Sequence, residues 1–106
     1  MPNRTRRIVR LTNETWRHIT ENHPEVEGWR SRVLETVREP DILAVGEGGE
    51  LWALKRYVFP GHGEKYLFVP FREVRSVAFI ITSYVTAIDR AERRLEKVTV
   101  LWRKQS

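Results

Sequence analysis

The sequence predicts an α+β fold, with two N-terminal helices packed on an antiparallel sheet and a further helix and strand after it. Three observations lead there. Between residues 13 and 38 apolar side chains recur at helical spacing, Trp16 and Ile19 in one run, then Val26, Trp29, Val33 and Val37 in the next. Between 42 and 85 the pattern changes to runs of β-branched and aromatic residues, separated by short turns rich in glycine and proline. The 106 residues are 41% hydrophobic, enough for one core and short of two, so a single domain over 1–106 is expected.

Residues 7–11, Arg-Ile-Val-Arg-Leu, read as a short first strand. Thr12 and Asn13 are good N-caps, and Glu14 suits the positive end of a helix that runs to Asn22. Pro24 cannot continue that helix but is well placed to begin another. The apolar spacing carries this second helix from Glu25 to Arg38, where Glu39-Pro40-Asp41 stops it. Two amphipathic helices with one apolar stripe each need a sheet to cover. Strands are expected at 42–45, 50–59, 66–71 and 74–85, and Gly46-Glu47-Gly48-Gly49 and Pro60-Gly61-His62-Gly63 are turns. Turns this short favour antiparallel neighbours. Pro70 lacks an N–H and belongs near a strand end or on a sheet edge. Residues 87–96 form a mostly polar helix and 98–102 a last strand, giving the order β-α-α-β-β-β-β-α-β.

Composition removes several chemistries. With no cysteine there is no disulfide, no thiolate metal site and no cysteine nucleophile. Apolar runs such as Val77–Ile81 fall far short of a membrane span, and an N-terminus carrying Arg4, Arg6, Arg7 and Arg10 is not a secretory signal. A cytoplasmic domain without a membrane partner is the expectation. The net charge is +5, and 15 of the 19 basic residues are arginine, whose planar fork matches phosphate oxygens. That balance leans toward nucleic acid. An arginine-rich genome with charges spread over a solvated surface accounts for it equally well. The arm Arg4–Arg10 and the group Arg90, Arg93 and Arg94 could grip a phosphate backbone, although charge runs are more often solvated faces. Trp16, Trp29, Trp52 and Trp102 are expected in the core rather than as stacking platforms.

Few residues are equipped for chemistry. His18 and His23 flank the end of the first helix, five apart, which is roughly 140° around an ideal helix and a poor fit to one metal ion. No cysteine or acidic cluster completes a site, so no metal and no cofactor is expected. His62, in a glycine-rich loop, reads as a solvated turn residue. His23 precedes Pro24 and would lie at the mouth of the second helix, where the helix dipole attracts anions and favours a neutral imidazole, as a general base requires. Strand alternation places Trp52, Leu54, Arg56 and Val58 on one face, and Ala78, Ile80, Thr82 and Tyr84 on another. Thr82 and Tyr84 could donate to a phosphate that Arg56 neutralises. Core packing of His23 and Tyr84 and a solvent-facing Arg56 fit the same pattern.

Five short segments in register add a resemblance. Trp16-Arg17-His18-Ile19, His23-Pro24-Glu25, Pro40-Asp41-Ile42-Leu43, Lys55-Arg56-Tyr57 and Ile80-Ile81-Thr82-Ser83-Tyr84 resemble the phage-associated branch of the Barnase–EndoU–colicin–RelE nuclease superfamily. The last segment has serine where the pattern has alanine, and the likeness covers residues 8–86. The helix and strand at 87–103 depart from the family's shorter tail. The resemblance implies a RelE-like fold, two helices on a curved antiparallel sheet of four to five strands. It also implies metal-independent cleavage of RNA and makes His18, His23, Arg56, Thr82 and Tyr84 the site residues.

The expected protein is therefore a small endoribonuclease, the toxin of a toxin–antitoxin pair or a phage-borne effector. It would act on mRNA or tRNA, with an antitoxin protein as partner. A ribose 2′-hydroxyl attacks the adjacent phosphate and leaves a 2′,3′-cyclic phosphate. One of His18 and His23 is the base, and the other, or Tyr84, the acid, with Arg56 and the Thr82 and Tyr84 hydroxyls on the developing charge. A non-catalytic RNA- or protein-binding module on the same fold is the alternative.

Overall fold

The computed structural model describes residues 8–105. Arg4, Arg6 and Arg7 of the basic arm lie outside them. Strand β1 (Ile8–Arg10) leads into helix α1 (Asn13–Asn22). Thr12 caps α1, its Oγ1 accepting from the Thr15 N–H at 3.1 Å, and Glu14 lies in the first turn. The second helix expected from Glu25 to Arg38 is two pieces, a 3₁₀ turn at Pro24–Val26 and helix α2 at Arg30–Arg38. Gly28 breaks it with φ +84°, a conformation that a right-handed helix cannot hold. The break lets Val26 drop fully into the core. Arg30 then ties the start of α2 back to α1, donating to the Leu11 carbonyl at 2.8 Å and to Asn13 Oδ1 at 3.1 Å.

The sheet has seven strands and is mixed, not four to five antiparallel ones. These are β1, β2 (Ile42–Val45), β3 (Leu51–Phe59), β4 (Gly63–Val74), β5 (Val77–Ile80), β6 (Tyr84–Thr86) and β7 (Thr99–Arg103), with helix α3 (Ile88–Leu95) before the last. Their order is β1-β5-β4-β3-β2-β7, with β6 also on β4. The short-turn argument holds for β2 through β5, which pair antiparallel. It does not reach β1, whose chain leaves through two helices. β1 runs parallel to β5.

Where one long strand was expected at 74–85, two short ones lie along β4. Phe71 pairs with Ile80, but Phe68 pairs with Tyr84, so three steps on β4 oppose four on its neighbour. One extra residue reverses the alternation. Ala78 and Ile80 therefore face α1 and α2, while Tyr84 packs on the opposite side, and the expected shared face of Ala78, Ile80, Thr82 and Tyr84 does not form. Pro70 explains the place of the break. It is buried inside β4, not at an end or edge, and pairs with Trp52 of β3. Its carbonyl accepts from the Ile81 N–H at 2.9 Å. A residue's N–H and C=O point to the same side of a strand, so the donor that proline lacks would have faced residues 81–83, where the neighbour has left the ladder.

The two faces of the sheet carry separate cores. Val33 and Val37 of α2, Ile19 of α1 and Val26 pack on Leu43, Ala53, Leu67 and Val69. Ala91 and Leu95 of α3 pack on Ile42, Trp52, Leu54, Tyr66 and Phe68. All four tryptophans pack in these cores, Trp52 on the α3 side and Trp16, Trp29 and Trp102 on the other. At the β2–β3 turn the Glu50 carboxylate accepts from Trp52 Nε1 at 2.8 Å and from the Gly48 N–H at 3.0 Å. A Cβ on Gly46 would lie 2.3 Å from both members of the Glu50–Trp52 bond, so that position needs glycine.

Candidate functional site

Of the five residues singled out in the sequence, the fold brings two into contact. His23 is the C-cap of α1, held by its N–H bond to the Ile19 carbonyl at 2.7 Å. The 3₁₀ turn after it is only three residues long, so the positive helix end expected at His23 is instead the negative end of α1. Its half-buried ring lies 5.1 Å from the Tyr84 ring, centroid to centroid. Tyr84 stacks in turn on Phe68 at 5.1 Å and 9°, and Phe68 meets Trp52 at 5.0 Å. The result is a column of four rings running from the edge of the sheet into the α3-side core.

Two charged side chains complete this column. Arg94 of α3 lies over Trp52 and Phe68, 4.7 and 4.8 Å from the ring centres, and donates to the Tyr84 hydroxyl at 2.7 Å. It is thus fixed in the structure, not part of a free basic face. Glu25 lies beside His23, with 3.8 Å between Oε2 and Nδ1, and the same oxygen accepts the Val85 N–H of β6 at 3.4 Å. The 3₁₀ turn therefore packs along β6 and presents an imidazole, a carboxylate and a phenol together. Each of these groups can accept or donate a proton, and the imidazole and carboxylate stand 3.8 Å apart, in ionic rather than hydrogen-bonding contact.

The other three candidates stand apart from that contact. His18 is exposed on α1, with Nε2 3.8 Å from Glu14 Oε2. Thr82 is half-buried in the break between β5 and β6. Arg56 is on the α3 face of β3, and β4 lies between it and β6. Its guanidinium lies over the Tyr66 ring at 5.5 Å and beside Glu64 at 3.5 Å, while the Arg56 backbone N–H donates to Asp41 Oδ2 at 2.9 Å. Arg56 and Tyr66 border a pocket of about 390 Å³ with Asp41, Glu92, Arg103 and Lys104. There Arg103 forks onto both Glu92 oxygens at 3.1 Å, and Tyr66 donates to one of them at 3.1 Å. The Arg103 fork, with Tyr66 assisting, holds the Glu92 carboxyl below the usual carboxylate range, and burial pushes the Tyr66 phenol up.

A second pocket, about 410 Å³, opens on the opposite face, next to the His23 cluster. Glu25 and Val85 border both features. The remaining walls come from Trp29, from Ala87 and from the β3–β4 hairpin, with Phe59, His62 and Lys65. His62, which reads in the sequence as a solvated turn residue, is exposed at this pocket. Nothing in the local sequence couples it to Glu25 or Trp29. The pairing of β3 with β4 and the turn at 24–26 bring them together. Arg94 was likewise hidden in a run of charges.

Among the described residues no three His, Asp or Glu side chains gather in a way that could hold a metal ion, and no helix is long and apolar enough to cross a membrane. No family model, curated protein or solved structure matches the chain.

Proposed function

We propose that the chain is a small endoribonuclease with a RelE-like arrangement of helices on a sheet, cleaving RNA without a metal ion. One observation carries this reading. Two segments of the family resemblance, His23-Pro24-Glu25 and the one ending at Tyr84, lie far apart in the sequence and meet ring against ring in the fold. The meeting of polar residues from two separate motifs is the arrangement a shared site requires.

In this mechanism one of the pair His23 and Tyr84 takes the proton from a ribose 2′-hydroxyl as its oxygen bonds to phosphorus. The bond from phosphorus to the 5′-oxygen breaks, and the other group protonates that leaving oxygen. The product is a 2′,3′-cyclic phosphate. His23, beside Glu25, suits the base, and Tyr84, held by Arg94, suits the acid. The cation of Arg94 stabilises charge developing at the phenol oxygen. Toxin or phage-borne effector activity, an antitoxin partner and a cytoplasmic setting belong to the same proposal. His18, Thr82 and Arg56 then serve RNA binding around the centre.

The test is incubation with labelled total RNA in EDTA, comparing wild type with His23→Ala, Tyr84→Phe, His18→Ala and Arg56→Ala. Cyclic-phosphate ends should fall by about 10²–10⁴-fold in His23→Ala, the range expected for loss of a general acid or base. Tyr84→Phe should lose a comparable factor, while His18→Ala and Arg56→Ala weaken the reaction through binding. Cleavage that survives both His23→Ala and Tyr84→Phe would move the centre elsewhere. Salt-sensitive RNA binding with no product would leave the binding module.

A further inference from the structure

We infer that the 410 Å³ pocket beside the His23 cluster binds one nucleoside monophosphate unit. Its volume falls in the about 300–1,000 Å³ range of pockets that enclose a single small organic molecule. Its lining narrows the ligand class. Trp29 and Phe59 are stacked on each other at 4.4 Å and 19°, with the Arg32 guanidinium 5.3 Å over Trp29, so they border the pocket as a rigid apolar rim whose stacked faces are already covered, and Val85 adds hydrocarbon. A flat ring packs against such a rim edge-on, an arrangement aromatic pairs favour. Lys65 and His62 supply donors for an anionic group, and Glu25 supplies an acceptor for ring N–H or amino groups.

Simpler ligands fit less well. A hydrocarbon would desolvate Glu25 and Lys65 without replacing their hydrogen bonds. A bare phosphate would leave the aromatic rim unused and have to approach the Glu25 carboxylate. A molecule that is flat and apolar in the middle, anionic at one end and rich in N–H donors along one edge satisfies all of these groups together. The nucleotide has that chemistry whether it is free or part of a single-stranded RNA. Its occupancy by RNA rests on the ribonuclease reading, while nucleotide binding does not. Through Glu25 the pocket adjoins His23, so a base seated in it would position the phosphodiester of the same strand at the ring pair.

The experiment titrates adenosine, guanosine, cytidine and uridine 5′-monophosphates into the folded chain, with inorganic phosphate and the uncharged nucleosides as separate arms. The readouts are tryptophan fluorescence and amide and indole NMR shifts. At least one monophosphate should bind tighter than about 1 mM, shifting the Trp29 indole and the 61–65 amides. Phosphate alone and nucleoside alone should each bind at least about tenfold more weakly. Lys65→Glu should lose about tenfold or more for the monophosphate and leave the nucleoside unchanged. No binding by any monophosphate, or shifts centred on Arg56 and Arg103, would overturn the assignment. The two readings fail separately. Nucleotide binding that persists in a chain without RNA cleavage keeps the pocket and removes the nuclease. Cleavage by a chain that binds no monophosphate does the reverse.

Discussion

Ser83 buries a polar atom that the described residues leave unpaired. It is fully buried in the break between β5 and β6, and its hydroxyl has no hydrogen-bond partner. An unpaired buried hydroxyl costs roughly 1–3 kcal/mol, so removing it should help the fold. Ser83→Ala is expected to raise the melting temperature by several degrees, at about 4–8 °C per kcal/mol for a domain near this size. A calorimetric scan checks it, and a lower melting temperature would mean that the hydroxyl has a partner in solution. The alanine of the resembling pattern stands at this position. His23 and Tyr84 were legible in the sequence as members of separate motifs. Their contact was not, because it depends on the extra residue in the β5–β6 break that turns Tyr84 to its face. Arg94 was illegible for another reason. A guanidinium wedged over Trp52 and Phe68 looks, in sequence, like any other arginine of a charged helix.

At the scale of elements, the turns marked by glycine were readable, and the one without it was missed. The β4–β5 hairpin closes through Arg75 and Ser76, with Val74 paired to Val77 and both turn residues at positive φ, 52° and 70°. Two-residue hairpins of this hand normally use Asn-Gly or Asp-Gly, because a side chain in the left-handed region costs roughly 1–2 kcal/mol. With no such residue in the sequence, β4 ends too early in the reading and the following strand begins too early. Ser76→Gly should stabilise the chain by about 1 kcal/mol, read as a higher urea midpoint at unchanged slope. The β2–β3 turn predicts the opposite response. Gly46→Ala drives a methyl group into the Glu50–Trp52 hydrogen bond and should cost about 1–3 kcal/mol, with Trp52 emission shifted to the red in the same samples.

The molecule as a whole is basic, yet two of its carboxylates are held by partners that acid would release. Glu50 is held below the ordinary glutamate value of 4.5, first by the Trp52 indole, and Glu92 first by Arg103. A carboxyl whose value is depressed on folding binds protons more tightly when unfolded. Its stabilisation is complete above the ordinary value and is lost as pH falls through the folded one. The melting temperature should therefore hold through mildly acidic pH and drop below about pH 4.5, where unfolded glutamates begin to take up protons. Glu92→Gln should flatten part of that drop. A melting temperature unchanged down to pH 3 would show that these contacts do not survive in solution. The α+β class and most strand positions followed from periodicity. The seven-stranded mixed sheet did not, since β1 on β5 and β7 on β2 are pairings that no local pattern encodes.

Those two pairings have a consequence for how the chain is made. Synthesis delivers β1, α1 and α2 first, but their surfaces are covered only by strands that emerge later, and β2 waits for β7 at Thr99–Arg103. Until then the nascent chain exposes the apolar stripe of two short helices and an open strand edge, the features that chaperones bind and that aggregate when crowded. Folding is therefore postponed until nearly the whole described chain has left the ribosome. If the polypeptide cuts RNA, that delay also keeps the cutting groups apart until both of their segments have emerged. His23 waits without its ring partner until Tyr84 is threaded beside it.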